Sequence, residues 1–449
     1  MAEKMDVDQV AAGGDATAGA MDVDEETAAD KAIELLLEKA KDLEASSPEK
    51  AAQAYRDIIH NKADNEDASG KGREKAIYAL GELLVVQKKP HDIVALGSEV
   101  RPMLGELPKA KTAKIVRALI DLLAKAPDSL ALQIGMCKDC VEWCKGEKRT
   151  FLRQRVETRL AGLYLQDMKY QDAIELLSRL LIEVKKLDDK LLLVEIFLIE
   201  CRTQFAVQNL PKAKAALTAS KTNANAIHCP PLLQAEIDVW SGVCSAREKD
   251  FRTAYSYFYE AFEAYNSAES EQKARIAMKY MLLSKIMVGR PQETGALISS
   301  KNGLKYTGLE IDAMAAVAAA HQERSLKKFE AVLEQFKGQL AEDPIISYHL
   351  SDLNETLLEQ NISRILEPFS RVEIAHVAEL MELPLSRIQS KLREMILDQK
   401  LNGTLDQGVG VLIVFEQEEV RSTYDNALKT IKNTSEVLDT LYGMAKQVA

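Results

Sequence analysis

The amino-acid sequence predicts an all-α protein: an α-solenoid of antiparallel, tetratricopeptide-like helix pairs, then a small winged-helix module and a long C-terminal helix. Three observations predict this order. The chain of 449 residues is only 6% aromatic and is rich in Ala, Leu, Lys and Glu, which are strong helix formers. A loop residue followed three positions later by a core-type residue recurs every 40 to 42 residues from Pro48 to Pro291. An apolar strip with alternating steps of four and three residues runs from Val420 to Val448.

Residues 1–30 are predicted to be a disordered acidic tail. They hold nine acidic residues against one basic residue, Lys4, in a chain whose formal net charge is −11. Such a composition buries too little apolar area to offset the entropy of ordering. Its Met-Asp-Val-Asp repeat, at 5–8 and 21–24, leaves a docking motif or a calcium-attracting patch as alternatives to a solvated tail. The rest of the chain is nearly neutral, so a general affinity for nucleic acid is not expected.

The composition favours the cytoplasm, the nucleus or both. The first residues lack the basic-then-apolar pattern of a secretory signal. No run of about 18 apolar residues, the length needed to cross a membrane, is present. Six cysteines without a secretion signal indicate free thiols in a reducing compartment.

Residues 31–250 are predicted to form the helical-repeat solenoid. In each repeat a loop residue is followed three positions later by a core-type residue, and one helix pair cannot bury its apolar face without a neighbour. We therefore expect each pair to stack on the next. The position pairs are Pro48 and Ala51, Pro90 and Ile93, Leu130 and Gln133, Tyr170 and Ala173, Leu210 and Ala213, Phe251 and Ala254, and Pro291 and Thr294.

Residues 251–417 are predicted to form a second domain, with a helical part at 251–350 and a winged helix at about 351–417. Residues 371–374 lead into a short helix, and Pro384 can open the next helix at its first position. Asn402 and Gly403 end that helix, and a β-hairpin follows, with residues 411–415 as its second strand. Helix, strand, helix, helix and hairpin is the winged-helix order.

Residues 418–449 are predicted to form one long helix with a single apolar strip, interrupted only by Thr434. Thirty helical residues extend about 45 Å, and an apolar strip of that length requires a partner. The strip residues expected to bind a partner are Val420, Tyr424, Ala427, Ile431, Leu438, Leu441, Ala445 and Val448.

The helix pairs, the winged helix and the long last helix together resemble the PCI family, whose members are subunits of the proteasome lid, the COP9 signalosome and translation initiation factor three. Four segments are most similar to the proteasome lid branch. They are Gly162-Leu163-Tyr164, Tyr170-Gln171-Asp172-Ala173, residues 255–262 (YSYFYEAF) and residues 403–408 (GTLDQG).

The resemblance implies a non-catalytic structural subunit of the proteasome regulatory particle lid, needed for lid assembly and for bracing the regulatory particle on the core particle in ubiquitin-dependent degradation. It implies that winged helices associate edge to edge and that C-terminal helices gather into a bundle. The solenoid would then contact the ATPase ring and the core particle. The wing-edge residues implied are Val411, Leu412, Ile413, Val414 and Phe415. A scaffold subunit of another PCI complex, or a winged-helix nucleic-acid-binding regulator, are the alternatives.

No residue pattern predicts catalysis, a cofactor or a metal. Cys137, Cys140 and Cys144 have the spacing of one helix face, and a structural zinc site needs four ligands, so we expect them in the core. His228 and Cys229 precede two prolines, which favours a loop over a nucleophilic pair. The six histidines form no metal-binding motif, and no Gly-rich phosphate loop is present.

Basic residues give two further candidates. The stretch from Lys145 to Arg159 interleaves acids and favours a solvated helix face, with a docking surface for an acidic partner as the alternative. Residues 404–415 contain no Lys or Arg, although a DNA-binding wing would place bases against phosphates. The winged helix therefore favours protein partners over nucleic acid.

Overall fold

The computed structural model describes residues 36–43, 47–60, 66–104, 109–127, 129–341, 343–406, 408–415 and 422–448. The predicted tail at 1–30 lies outside these residues. The chain divides into two compact units, unit 1 up to Glu248 and unit 2 from Lys249. The predicted domain limits at 250, 350 and 417 stay predictions.

Unit 1 consists of consecutive antiparallel helices in its described part. They are α1 (36–43), α2 (Pro48–His60), α3 (Glu66–Val86), α4 (Pro90–Leu104), α5 (Lys109–Lys125), α6 (Leu130–Gly146), α7 (Thr150–Gln166), α8 (Tyr170–Leu187), α9 (Lys190–Ala206), α10 (Leu210–Asn225) and α11 (Pro231–Arg247). One cluster of buried side chains runs from Leu37 in α1 to Phe197 in α9, and a second joins α9, α10 and α11. The predicted all-α solenoid is confirmed.

A left-handed turn joins the two helices of a pair, and the same turn also occurs between pairs at Lys148, Asp188 and Glu269. The predicted loop residues are instead the first residues of helices or, for Pro291, the residue before one. Two positions before them the backbone is left-handed at Lys88, Met168, Gln208, Lys249 and Gly289, with φ between 57° and 83°. The next amide then bonds to the carbonyl five residues back, as in the Lys169 amide that donates to the Tyr164 carbonyl at 2.9 Å. This Schellman geometry satisfies the last carbonyls of the first helix and reverses the chain.

The predicted core positions of the repeat are all buried. Four of them are alanines with no exposed surface, which allows the two helices of a pair to approach closely. The positions are Ala51, Ile93, Gln133, Ala173, Ala213, Ala254 and Thr294.

Unit 2 begins with further α-helices, which are followed by the winged helix and the last helix. Its elements are α12 (Phe251–Ser267), α13 (Glu271–Met287), α14 (Gln292–Ile298), a 3-10 turn (Gly303–Tyr306), α15 (Leu309–Gln322), α16 (Leu326–Gln335), α17 (Lys337–Ala341), α18 (Pro344–Leu366), β1 (Arg371–Glu373), α19 (Ile374–Met381), α20 (Leu385–Leu397), β2 (Gly403–Asp406), β3 (Val411–Val414) and α21 (Ser422–Val448). No described helix is both long enough and apolar enough to cross a membrane.

The winged helix has its own core. Leu358 and Ile362 of α18 pack with Ile388 and Leu392 of α20 and with Leu412 of β3. The C-terminal half of α18 therefore belongs to the winged helix, and α20 is fixed against it.

Candidate functional site

The three-stranded sheet of the winged helix has the order β1-β3-β2. Val372 and Leu405 both lie opposite Leu412, one on each side of β3. The predicted edge strand at 411–415 is therefore the central strand, and the prediction that it forms the sheet edge is wrong. Its backbone groups are already paired on both sides, and the side chains of Val411 and Leu412 are buried.

The remaining wing residues differ in exposure. Ile413 is 39% exposed and Phe415 is 52% exposed, while Val414 is half-buried and packs against the core of the winged helix. That Ile413 and Phe415 contact a partner through their side chains stays a prediction. The strand itself cannot add a neighbouring strand.

The free edges of the sheet belong to β1 and β2. The Phe415 amide donates to the Asn402 carbonyl at 2.8 Å, and the Val414 amide donates to the Ser370 carbonyl at 2.9 Å. Opposite residues in antiparallel strands alternate between hydrogen-bonded and non-hydrogen-bonded pairs. The backbone N–H and C=O groups of Gly403 and Leu405 therefore point away from β3. Those of Arg371 and Glu373 point away from it on the other side.

The two edges differ in chemistry. Charged side chains next to an open edge discourage strand addition, and β1 carries Arg371 and Glu373 at its two ends. The outward positions of β2 are Gly403 and Leu405, both uncharged. A Cβ at Gly403 would lie 2.5 Å from the Ile413 carbonyl oxygen, so glycine is required for this close approach. The β2 edge is the better site for an added strand.

The last helix, α21, confirms the predicted long helix. Within its described part, every side chain from Asn426 to Lys446 is exposed. Of the predicted strip, Val420 lies outside the described residues, as does the side chain of Val448. Tyr424, Ala427, Ile431, Leu438, Leu441 and Ala445 are all exposed.

Two large residues extend the strip beyond the predicted one. Leu428 is 65% exposed and Tyr442 is 73% exposed, and they lie beside Tyr424, Ile431 and Leu438 on the helix surface. Alternating steps of four and three residues, counted from Tyr424 and beginning with a step of four, reach both Leu428 and Tyr442.

Charge is confined to one side of α21. At about 100° per residue, its six charged residues occupy only about 100° of the circumference. They are Asp425, Lys429, Lys432, Glu436, Asp439 and Lys446. The uncharged sector is wider than the seam of a two-stranded coiled coil, so it can accommodate more than one neighbouring helix.

The second helix of the winged helix, α20, is held by an ion-pair network. Lys391, which is 8% exposed, places its Nζ atom 2.6 Å from Glu355, 3.1 Å from Glu359 and 3.2 Å from Glu394. Burial lowers the pKa of Lys391, but the hydrogen bonds to three carboxylates outweigh it and raise the pKa. Lys400 contacts Glu359 at 2.7 Å. Two cations of α20 and of the turn after it are thus neutralised by acids from α18 and α20.

Comparison with known proteins identifies the chain's relatives. Residues 33–167 match the family described as the 26S proteasome regulatory subunit RPN6 N-terminal domain, and residues 333–416 match the PCI domain. A 26S proteasome non-ATPase regulatory subunit 11 homolog from Arabidopsis thaliana is 52% identical over 89% of this chain and 95% of its own length. The chain belongs to the RPN6 family of 26S proteasome regulatory subunits.

The same relationship extends to fungi. The probable 26S proteasome regulatory subunit rpn6 of Schizosaccharomyces pombe is 46% identical over 88% of this chain and 93% of its own length. The 26S proteasome regulatory subunit RPN6 of Saccharomyces cerevisiae is 38% identical over 85% of this chain and 89% of its own length. The predicted PCI resemblance and its proteasome branch are confirmed.

The cysteines of this RPN6-family chain are placed as the sequence predicted. Cys137, Cys140 and Cys144 are buried in the core of unit 1. Burial raises the pKa of Cys137 to about 12 and that of Cys144 to about 11, so these thiols stay protonated. Cys229 lies in the loop between α10 and α11, and burial raises its pKa as well. In the described part of the chain, no three His, Cys, Asp or Glu side chains converge as metal ligands.

The basic stretch from Lys145 to Arg159 is partly paired. Arg149 lies over the Trp143 ring at 5.0 Å, and Arg153 pairs with Glu183 and, at 4.0 Å, with Glu157. Arg155 and Arg159 point into a groove of unit 1.

Proposed function

We propose that this RPN6-family chain is a non-catalytic structural subunit of the 26S proteasome regulatory particle lid. It serves lid assembly and braces the regulatory particle on the core particle in ubiquitin-dependent protein degradation. The observation that carries the proposal is α21, whose exposed apolar strip has the length and width of a helix buried in an assembly. Membership in a family of proteasome regulatory subunits supports that assembly.

The mechanism is the building of interfaces. The strip of α21 buries its apolar side chains among C-terminal helices of neighbouring subunits. At about 25 cal/mol for each Å² of apolar surface removed from water, several buried leucines and tyrosines contribute about 10 kcal/mol before the cost of association. That contribution is large enough to hold a subunit in place.

The winged helix contributes a second interface at the β2 edge. Strand addition there requires outward backbone donors and acceptors at uncharged positions. Gly403 and Leu405 meet both conditions, with Asp406 as the nearest charge in β2. The ion pairs of Lys391 hold α20 on α18, so the edge is presented on a rigid element. Lid subunits are the proposed partners of this edge and of α21.

Unit 1 is proposed to contact the ATPase ring and the core particle. Between the described helices α6 and α11, each connection is a tight turn or a short loop. The stack of helix pairs there has no long hinge loop and can transmit force. The proposed compartments are the cytoplasm and the nucleus, where the assembly would act on its substrates.

The winged-helix nucleic-acid regulator is the weaker alternative. Reading DNA requires cations on the recognition helix that reach phosphates and bases. Lys391 is instead buried among Glu355, Glu359 and Glu394, and Lys400 is held by Glu359. No catalytic role is proposed, since the relatives are named regulatory subunits and the thiols with raised pKa are poor nucleophiles.

Affinity purification of the tagged full chain from its own cells, followed by mass spectrometry, tests the proposal. We expect the other lid subunits, the ATPase ring and the peptidase core in the eluate. Recovery of signalosome or initiation factor three subunits would contradict the proteasome assignment and keep the scaffold role. Recovery of nucleic acid alone would contradict both.

A further inference from the structure

Unit 1 contains an open groove of about 810 Å³ lined by α5, α7, α9 and α11. Half-buried apolar side chains lie along it, among them Leu165, Leu191, Ile199 and Leu233. A groove with an apolar base and polar rims suits an extended or helical peptide segment. The interfaces proposed for α21 and for the β2 edge do not use it.

The α5–α7 end of the groove carries unpaired positive charge. In the described part of the chain, no carboxylate lies within salt-bridge distance of Arg117 or Arg155. The Nε atom of Arg117 donates only to the Ala113 carbonyl at 3.0 Å. Arg159 is held loosely, with its nearest Asp121 oxygen at 3.8 Å and with the two side chains 48% and 67% exposed. An ion pair of this kind contributes little and is readily exchanged.

At the α9–α11 end of the groove, the arginine is already in an ion pair. Arg202 contacts Glu236 at 3.1 Å and lies over the Trp240 ring at 5.5 Å. Burial raises the pKa of Glu195, and the Arg155 charge opposes that rise only in part. The groove therefore attracts carboxylates at its α5–α7 end and not along its whole length.

The chain itself contains a segment with the matching chemistry. Residues 1–30 hold nine acids, and the repeat at 21–24 alternates Met21 and Val23 with Asp22 and Asp24. An extended backbone would place the two apolar side chains on one face and the two carboxylates on the other. That pattern matches an apolar base below a rim of arginines.

The length of chain before α1 allows the contact. Asp24 lies seven residues before residue 31, where the solenoid is predicted to begin, and twelve before the first described residue, Leu36, so an extended tail followed by one helical turn spans at most about 30 Å. Neighbouring helices pack about 8–10 Å apart, so three steps along the row, from α1 to α7, cover about 30 Å. The second repeat can reach the groove without unfolding α1.

We propose that the acidic segment 1–30 of this chain docks in cis into the α5–α7 end of this groove through its repeat at 21–24, with the Asp22 and Asp24 carboxylates on Arg117 and Arg155. The proposal is independent of the assembly role of α21.

Photo-crosslinking in the full chain tests the docking. A photoreactive p-benzoylphenylalanine replaces Val23, and crosslinked peptides are identified by mass spectrometry. We expect crosslinks to residues of α5, α7 and α9 that line the groove. Arg117→Glu with Arg155→Glu should reduce the yield of these groove crosslinks about tenfold. The double variant loses about two ion pairs at the rim and replaces them with repulsion between carboxylates.

Two controls separate charge pairing from misfolding. Lys186→Glu, on an exposed face of α8 outside the groove, should leave the yield unchanged. Asp22→Lys with Asp24→Lys, added to the double arginine variant, should restore it. Groove crosslinks that survive the double variant, or crosslinks to other surfaces only, would overturn the proposal. Crosslinks between chains in a mixture of isotopically heavy and light protein would overturn docking in cis.

Discussion

At the residue scale, Met168 shows how the repeated turn is made without glycine. It ends α7 with φ at 59°, and its side chain is 74% exposed. A side chain in the left-handed region costs about 1–2 kcal/mol, whereas glycine adopts it freely at an entropic cost of about 0.5–1 kcal/mol. Only Gly289 occupies the equivalent position as glycine.

Met168→Gly should therefore stabilise unit 1 by about 0.5–1 kcal/mol. The measurement is the denaturation midpoint of the unit 1 transition. Met168→Ala retains a Cβ and should change the midpoint little. A lower midpoint for the glycine variant would show that the left-handed turn is not strained.

Glu157 gives a pH-dependent prediction. It is 3% exposed in α7, and burial raises its pKa above the ordinary 4.5 although Arg153 and Arg179 oppose the rise. A carboxyl whose pKa is raised by folding destabilises the folded state when charged, so its penalty is absent below about pH 4.5 and grows as pH rises through the folded pKa.

Glu157→Gln should thus gain stability relative to the unchanged chain as pH rises from 4.5 to 8. Midpoints measured across this range give the difference directly, and the exposed Glu175→Gln in α8 is the control. A difference that shrinks as pH rises would contradict the sign of the shift.

At the element scale, the winged helix shows what the sequence could and could not predict. The order of helices and the hairpin followed from turn residues and periodicity around Pro384 and Gly403. The pairing of β1 with β3 did not, because β1 has only three residues and lies about 40 residues before its partner. A local pattern predicts a hairpin but not a third strand that arrives from far along the chain.

The Lys391 network is predicted to fasten α20 to α18. Lys391→Met should destabilise unit 2 by about 1–3 kcal/mol, because three carboxylates would lose their shared cation. The readout is the thermal midpoint of unit 2. Arg387→Met, on the same helix, is the matched control and should have a small effect. Equal losses for both variants would show that the network adds nothing beyond the side-chain stem.

The two sheet edges can be distinguished with proline. Leu405→Pro removes an outward amide of β2 and leaves the bonds to β3 in place, so it should weaken association with lid subunits while the winged helix stays folded. Arg371→Pro does the same to β1 and should have little effect. Co-purification of partners, with circular dichroism as the fold check, decides between them. A larger loss for Arg371→Pro would assign the interface to β1.

At the scale of the whole molecule, the fold was largely predictable and the sites were only partly so. The period of about 40 residues located the starts of α2, α4, α6, α8, α10 and α12, which are alternate helices of the row, because a buried core position recurs three residues after each start and is small or apolar except at Gln133. The strip of α21 was predictable from the four- and three-residue spacing of its apolar residues, except for Leu428 and Tyr442 on its flank. The groove of unit 1 was not, since Arg117, Arg155 and Arg202 come together only when the repeats stack.

We propose that the uncharged sector of α21 holds this subunit in the lid. Leu438→Asp with Leu441→Asp would bury unpaired charges in that interface and should reduce incorporation more than about tenfold. Lys429→Asp with Lys432→Asp adds the same acids to the charged side of α21 and should incorporate normally.

Quantitative mass spectrometry of lid subunits that co-purify with each tagged variant is the most direct measurement. We expect the Leu438 and Leu441 variant to lose the lid subunits and the Lys429 and Lys432 variant to keep them. Equal recovery of lid subunits with both variants would contradict it.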